Sequence, residues 1–548
     1  MAHALAGKPV QEQDIIDVQT IVDAYFDNVP DMTNPTQLVS FGTSGHRGTS
    51  VDGTFTDLHV AAITQAICDG RKQFGATGPI FVGQDTHALS QPALVTVLEV
   101  LAGNGVTAMV DCDMAFVPTP SVSRAIIRYN EEHDDKADGI IITPSHNPPD
   151  NGGIKYNTII GGPADTVVTK WIEMRANEYL TAYCESEDFK RISIDNIEPS
   201  AQVPYDYKGL YVEELGDVIN MEAIKAAGPK VLVDTLGGSG ASYWNAIKER
   251  YGLDLTIIHD DYDPTFSFMT YDHDGKVRMD CSSTYVMASV INRIGDFDLA
   301  VGNDPDYDRY GIVVSSGLIS ANTFLTLAAR YLFTTRGWKN KGVGKTVVCT
   351  TMIDKWAADA ETPVFEVPVG FKYFSQLLFD GAIGIGGEES AGASFLKKDG
   401  TVWTTDKDGM IMALLSMEIM AVMGKSELKM ADEFVEEFGN PSFGRIDAPC
   451  KKEQKQILKQ MSAELITATT VDGDPITNIR TTSLYNDMPI DGVRVETDKG
   501  WFVARPSGTE DLYKIYGESY KGDLGLVALL TAGEEIVNAA LNGTIETE

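Results

Sequence analysis

Asp304, Asp306 and Asp308 alternate in Gly302-Asn303-Asp304-Pro305-Asp306-Tyr307-Asp308-Arg309, directly after the apolar run Leu299 to Val301. In an extended segment, residues i, i+2 and i+4 share one face. Pro305 pushes Asp304 towards extended backbone. Three carboxylates would then crowd together, which is costly without a cation. Hard oxygen donors at this spacing suit Mg²⁺. An EF-hand loop is excluded, because Ser315 holds the twelfth position where that loop needs glutamate. Arg309 beside the acids favours a phosphate close by.

A second loop, Thr143-Pro144-Ser145-His146-Asn147-Pro148-Pro149-Asp150-Asn151-Gly152-Gly153, also follows an apolar strand. In open α/β sheets, ligands gather beyond the carboxyl ends of strands. The prolines keep this backbone out of helix. A serine hydroxyl on so rigid a loop can be a nucleophile or carry a phosphoryl group. His146 and Lys155 stand close to it in sequence.

Two further loops read as ligand contacts. In Gly387-Glu388-Glu389-Ser390-Ala391-Gly392, glycines bracket two acids that could accept hydrogen bonds from sugar hydroxyls. In Arg505-Pro506-Ser507-Gly508-Thr509-Glu510, an arginine fork, two hydroxyls and backbone N–H groups around a glycine make a phosphate cradle. That loop is no Walker A motif, and Val343-Gly344-Lys345-Thr346 lacks the upstream glycine such a motif requires. Thr346 reads instead as the entry to a strand. Thr43-Ser44-Gly45-His46-Arg47-Gly48 and Val369-Gly370-Phe371-Lys372 each present one cation, and Lys407 precedes a helical stretch as an ordinary solvated lysine would. His87 and the remaining histidines lack metal-ligand spacing and read as structural or surface residues.

These loops need a scaffold of alternating strands and helices. Short β-branched runs predict buried strands at Ile80–Val82, Gly139–Thr143, Lys230–Asp234, Leu255–Ile258, Asp298–Gly302 and Thr346–Thr350. Helical patterns run from Leu58 to Phe74, from Leu89 to Ala102 with Ser90 as cap and Gly103 as stop, and from Asp408 to Met423. The alternation implies βαβ units with mostly parallel sheets. After Pro441 the character changes, and Val527–Leu541 reads as a late helix. The expected architecture is three similar α/β domains with mixed sheets, plus a smaller C-terminal α+β domain, around a central cleft. The expected borders are 1–204, 205–322, 323–440 and 441–548.

Length and composition agree with this. The 548 residues suggest three or four domains at ~150 residues each. A net charge of −35 repels phosphate backbones and anionic headgroups, which excludes nucleic-acid or membrane-surface function. The six cysteines are scattered, with no C-x-x-C pair, which excludes a disulfide framework and fits a reducing, cytoplasmic setting. Neither a signal-peptide core nor an uninterrupted apolar run near ~20 residues is evident, so no membrane span is expected.

A serine loop, a cation site, a hydroxyl-reading loop and a phosphate cradle would together bind a phosphorylated sugar and move a phosphoryl group through Mg²⁺. With these motifs in this order, the sequence resembles the α-D-phosphohexomutase superfamily, and within it the bacterial phosphoglucomutases. The resemblance rests on Thr-Ser-Gly-His-Arg-Gly at 43–48, Thr-Pro-Ser-His-Asn-Pro-Pro at 143–149, Asn-Asp-Pro-Asp-Tyr-Asp-Arg at 303–309, Gly-Glu-Glu-Ser-Ala-Gly at 387–392 and Arg-Pro-Ser-Gly-Thr-Glu at 505–510. It implies interconversion of glucose 1-phosphate and glucose 6-phosphate through a phosphoserine and a glucose 1,6-bisphosphate intermediate. It implies that Ser145 carries the phosphoryl group and that Asp304, Asp306, Asp308 and a phosphoserine oxygen hold Mg²⁺. Arg47, His146, Lys155 and Lys407 are implied as catalytic support. Arg309, Gly370, Lys372, Glu388, Ser390, Arg505, Ser507, Gly508 and Thr509 are implied as substrate contacts. Partners would be small hexose phosphates, and the assembly a monomer or homodimer. A Mg²⁺-dependent phosphatase, a phosphomannomutase and a sugar-phosphate binding protein are the rival readings.

Overall fold

The stretches Ile80–Gln84, Asp138–Ile142, Val231–Asp234 and Leu299–Asn303 are strands buried along their whole length, and the helix Asp57–Gly70, in the same core as the first of them, is buried on nearly every side. In a computed structural model of the chain, residues 2–42, 45–184, 189–424, 426–506 and 512–545 are described. They divide into two compact units. The first comprises residues 1–321 with 374–381 and 390–428, and the second 322–373, 382–389 and 429–548.

The first unit holds two sheets. One contains β1 (His46–Thr49), β2 (Ile80–Gln84), β3 (Ala108–Asp111), β4 (Asp138–Ile142), β5 (Asn151–Asn157) and β6 (Gln202–Tyr205), in spatial order β1-β5-β4-β2-β3-β6. Strands β4, β2, β3 and β6 run parallel, while β5 returns antiparallel beside β4. The helices Asp57–Gly70 and Ser90–Gly103 join its core through Val60, Ile63, Ile67, Val97 and Leu101. The second sheet contains β7 (Val231–Asp234), β8 (Leu255–Ile258), β9 (Leu299–Asn303), β10 (Tyr310–Val314) and β11 (Gly317–Leu318), in order β11-β10-β9-β7-β8. Again three strands are parallel, and β10 returns antiparallel beside β9. The serine loop and the aspartate loop are thus equivalent hairpins, β4 to β5 and β9 to β10, rather than strand-to-helix turns. These antiparallel returns make both sheets mixed, as the sequence leads one to expect.

The helix Gly409–Met423, buried over most of its length, packs on β9 and β10. Asp408 caps it by accepting from Ile411 N at 3.1 Å. Gly409 donates its N–H to Tyr307 O at 2.9 Å, and a Cβ there would meet Arg309 O at 2.0 Å. Only glycine allows this approach.

The second unit holds the parallel strands β12 (Gly342–Thr346), β13 (Val364–Val367) and β14 (Ile383–Gly387). The short β15 (Ala393–Phe395) belongs to the first unit. The second unit also holds an antiparallel sheet of β16 (Ser442–Pro449), β17 (Thr470–Val471), β18 (Asp474–Thr482), β19 (Pro489–Thr497), β20 (Gly500–Pro506) and β21 (Leu512–Ser519), in order β16-β21-β20-β19-β18-β17. The helix Gly522–Ile545 covers it through Leu529, Leu530, Val537 and Leu541. This helix is long and apolar enough to span a membrane by length and composition alone, but those leucines and that valine are core residues.

The expected strand Thr346–Thr350 is misplaced, because β12 ends at Thr346. Its glycines and lysine are poor strand formers, and parallel partners on both sides override that preference. Val347 and Val348, which suggested the strand, lie in the turn beyond and bury themselves against Ile490, Trp501 and Val503. Ser90 is not a cap either; it is the first helical residue, and its hydroxyl donates to Asp85 Oδ1 at 2.5 Å.

Candidate active site

The 143–150 connection is too short and proline-rich for helix, so it bridges β4 and β5 as a tight loop. Ser145 lies at its turn with φ +60°, a left-handed conformation that costs a non-glycine residue roughly 1–2 kcal/mol. Its Oγ donates to Asp304 Oδ2 at 2.9 Å and lies 3.2 Å from His146 Nδ1.

Asp304, Asp306 and Asp308 converge as the spacing predicts, although not on an extended strand. Tyr307 takes φ +62°, and its N–H donates to Asp304 O at 2.9 Å, so a turn gathers the three carboxylates. One oxygen from each lies within 4.8 Å of the others, and all three residues are buried. Burial, then Asp306 and Asp308, push the Asp304 carboxyl well above the usual carboxylate range. Burial also pushes Asp308 up, but Lys407, Lys155 and Arg309 outweigh it and hold that carboxyl well below the usual range. Two lysines thread the cluster. Lys155 Nζ lies 2.6 Å from Asp306 Oδ2 and 3.2 Å from Asp308 Oδ2, and Lys407 Nζ lies 2.8 Å from Asp308 Oδ2. Burial disfavours the Lys155 ammonium, yet Asp306 and Asp308 prevail and raise its pKa.

The cluster fits a divalent cation. Asp306 Oδ1 and Asp308 Oδ1 are buried acceptors without a hydrogen-bond partner among the described residues, and such oxygens are costly unless something positive meets them. All-oxygen, carboxylate-rich donors suit Mg²⁺.

The structure brings Ser145, His146, Lys155, Asp304, Asp306, Asp308, Arg309 and Lys407 together. Lys407, which reads as a solvated lysine from sequence, is buried. Arg47, on β1, donates weakly from Nη1 to Asn147 Oδ1 at 3.4 Å, while Thr43 and Ser44 lie outside the described residues. Burial and the Arg309 charge push the His146 imidazole down to about 3, so it is neutral at physiological pH.

Sequence reasoning missed Thr119, Asp280 and Asp406. Thr119, at the start of the helix Thr119–Glu132, donates from Oγ1 to Asp306 Oδ2 at 2.8 Å and from its N–H to Asp306 O at 2.9 Å. Asp280 lies 3.5 Å from Arg309 Nη1 and 4.0 Å from His146 Nε2. Asp406 accepts from Asn157 Nδ2 at 2.9 Å. Nothing local marks these three; only Pro118-Thr119-Pro120 hints at a rigid helix start.

Ser390 lies on the loop after β14, half-buried in the first unit. The second unit holds Gly370, Lys372, Glu388 and Arg505. Gly370 takes φ +132°, open to glycine alone. Lys372 Nζ lies 5.5 Å from the Tyr373 ring centre. Glu388 is buried. Arg505 Nε donates to Ile490 O at 2.9 Å. Burial raises the Tyr516 phenol and Glu389 raises it further, while Arg445 and then Arg505 lower it. Ser507, Gly508 and Thr509 lie outside the described residues.

The chain matches four phosphoglucomutase/phosphomannomutase domain families: alpha/beta/alpha domain I over residues 38–182, domain II over 210–317, domain III over 320–438 and the C-terminal domain over 447–524. It is 46% identical to a phosphoglucomutase of Komagataeibacter xylinus over 539 residues, 97% of each chain. Its fold is similar to that of parafusin, a phosphoglucomutase from Paramecium, in an open form (TM-score 0.73, 20% identity, 94% of this chain and 96% of that one). It is also similar to Aspergillus fumigatus N-acetylphosphoglucosamine mutase in complex with GlcNAc-6P and magnesium (TM-score 0.51, 15% identity, 96% and 99%).

Proposed function

The chain belongs to the phosphoglucomutase/phosphomannomutase family, and from that premise we propose how its residues carry out phosphoglucomutase chemistry. The enzyme interconverts α-D-glucose 1-phosphate and glucose 6-phosphate. In our reading Ser145 carries the phosphoryl group at rest. The bond from Ser145 Oγ to phosphorus breaks as a bond to the sugar 6-oxygen forms; the 6-hydroxyl gives up its proton and Oγ gains one. The resulting glucose 1,6-bisphosphate turns over without leaving. Ser145 then takes the phosphoryl group from the 1-position and glucose 6-phosphate departs. The contact between Ser145 Oγ and Asp304 carries this reading.

Asp304, Asp306 and Asp308 would hold Mg²⁺, which when bound offsets charge on the transferring phosphoryl oxygens. Lys155, Lys407, Arg309 and Arg47 add fixed positive charge in a dry setting, where it acts strongly. His146, neutral and beside Oγ, and Lys407 are the candidates for moving the hydroxyl proton. Glu388 and Ser390 would read sugar hydroxyls, and Gly370 and Lys372 would also contact the substrate. Arg505, Ser507, Gly508 and Thr509 would hold the phosphate that is not reacting. That cradle must accept either end of the bisphosphate, which suits an arginine fork.

We place domain borders at 204, 322 and 440; the gaps between family matches support the first and the last, and the domain III match begins at 320, two residues before the second. The scattered cysteines support a cytoplasmic enzyme. In our reading the partners are small hexose phosphates and the assembly is a monomer or homodimer; the charge of −35 argues against nucleic acid and anionic membrane as partners.

A ³¹P NMR time course tests the function. Enzyme, Mg²⁺, glucose 1-phosphate and a trace of glucose 1,6-bisphosphate are mixed, with mannose 1-phosphate in a parallel tube. Glucose 6-phosphate should appear much faster than mannose 6-phosphate, without free phosphate. Free phosphate would mean a phosphatase, comparable rates on both sugars a broader hexomutase, and no change a binding protein.

A further inference from the structure

Asp85, just beyond β2, is wholly buried, and four groups donate to it. They are the His87 N–H at 3.0 Å, His87 Nδ1 at 2.9 Å, Ser90 Oγ at 2.5 Å and Thr143 Oγ1 at 2.6 Å. His87 is buried as well, and its other ring nitrogen, Nε2, lies 3.0 Å from the Asn147 carbonyl oxygen. While Thr143 Oγ1 donates to Asp85, it accepts the backbone N–H of Ser145 at 2.7 Å. One carboxylate–imidazole pair therefore grips the serine loop at both ends, through residues 143 and 147, with Ser145 midway.

The hydrogen bonds and the surrounding charges together set the charge of this pair. A carbonyl only accepts, so Nε2 must carry a proton. Burial raises the Asp85 carboxyl, but His87, Ser90 and Thr143 outweigh it and hold that carboxyl below its usual range, so the proton shared with Nδ1 stays on the imidazole. His87 is an imidazolium and Asp85 its counter-ion. Burial alone would lower the His87 pKa, but Asp85 beside it prevails and raises it. A buried ion pair is expensive to assemble and adds little stability over an apolar substitute. Its value must come from geometry. Ser145 supplies the need, since a left-handed non-glycine residue persists only where its surroundings over-determine it.

We propose that Asp85 and His87 are positioning residues for phosphoryl transfer, a buried pair that clamps the 143–147 loop so that Ser145 Oγ stays aimed at Asp304. The proposal rests on Ser145 being the phosphoryl carrier. It turns His87 from the structural residue that its spacing suggests into a determinant of rate.

The test follows uptake of labelled phosphate by Ser145 from glucose 1,6-bisphosphate bearing ³²P, together with kcat, KM for glucose 1-phosphate and thermal melting. It compares wild type with His87→Ala, His87→Gln, Thr143→Val and Ser145→Ala. His87→Ala should slow both label uptake and kcat about 10- to 100-fold, the range seen when orienting partners of reactive groups are lost, while KM changes less than about threefold. His87→Gln, whose amide can still donate to the Asn147 carbonyl, should recover several-fold of that loss. Thr143→Val should slow uptake about tenfold. Uptake and kcat within twofold of wild type in His87→Ala and Thr143→Val would overturn the clamp, as would a glutamine variant no better than alanine with only the melting temperature lowered. If His87→Ala does not fold, Thr143→Val and His87→Gln decide by the same measures. Failure of wild type to take up label, or full uptake by Ser145→Ala, would instead overturn the role of Ser145.

Discussion

Ser145 Oγ donates to Asp304 Oδ2 across 2.9 Å, although the two residues are 159 positions apart and sit on hairpins of different sheets. The serine that we propose as the phosphoryl carrier and the aspartates that we propose as the cation site are thus a single hydrogen bond apart. Ser145→Ala removes the only oxygen that can carry the phosphoryl group in our reading. We expect mutase activity to fall at least 10⁴-fold with the melting temperature within a few degrees of wild type. Measured kcat within 100-fold of wild type would contradict the assignment.

Lys155 and Lys407 neutralise carboxylates that a divalent cation would also neutralise. Lys155→Met should therefore destabilise the protein in EDTA by about 3–5 kcal/mol, the usual cost of stripping a partner from a buried charge. Saturating Mg²⁺ should restore a larger part of the melting temperature in the variant than it adds to wild type. Calorimetry with EDTA and with Mg²⁺ checks this, and equal gains in both proteins would count against it.

Much of this site is legible in one sequence because its chemistry is local. The aspartate spacing, the proline-braced serine and the glycine-bracketed loops each announce themselves within ten residues. What stays hidden is what the fold brings from afar. Lys407 reads as a solvated lysine until the Gly409 N–H docks on Tyr307 O and buries it beside Asp308. Thr119 and Asp280 contact the site with no motif around them. Strand preference fails at β12 because two flanking parallel strands dictate its conformation, whereas the β-branched Val347 and Val348 serve the core from a turn.

Thr119 donates its hydroxyl to Asp306 Oδ2 and so fixes which oxygen of that carboxylate is left for a cation. Thr119→Val keeps the shape and deletes the hydrogen bond. Loss of such an orienting partner typically weakens metal binding 10- to 100-fold. We expect the Mg²⁺ concentration for half-maximal activity to rise by that order, with saturated kcat changing less. An unchanged Mg²⁺ titration would show that the helix backbone alone orients Asp306.

Arg505, at the end of β20, donates from Nε to Ile490 O, and in our reading its guanidinium also holds the phosphate that is not reacting. Arg505→Ala should raise KM for glucose 1-phosphate at least tenfold while phosphorylation of Ser145 persists as isolated. Intact-mass measurement of the phosphoserine beside steady-state kinetics separates the two effects. A variant with normal KM but an unphosphorylated serine would reverse the role assigned to this arginine.

His46 and His59 stack with ring centres 5.3 Å apart in the core beside β1. Burial pushes His46 down to about 4, and burial with the neighbouring His46 pushes His59 down to about 3, from an ordinary 6.5. Both are neutral when folded and charge readily when unfolded, so below pH 6.5 the unfolded chain binds more protons. Their contribution to stability is full above pH 6.5 and is lost as pH falls towards about 4 for His46 and about 3 for His59, at about 1.4 kcal/mol for each unit of pKa difference that is crossed. Other groups add their own slopes, so the measurement is a difference. Urea unfolding of wild type and His59→Gln at pH 7.5 and 5.0 should show the variant less stable at pH 7.5, because the bonds of His59 to Thr56 and Gln37 are weakened. It should also lose less stability between the two pH values. A gap between the proteins that stays constant with pH would mean that His59 does not titrate on unfolding.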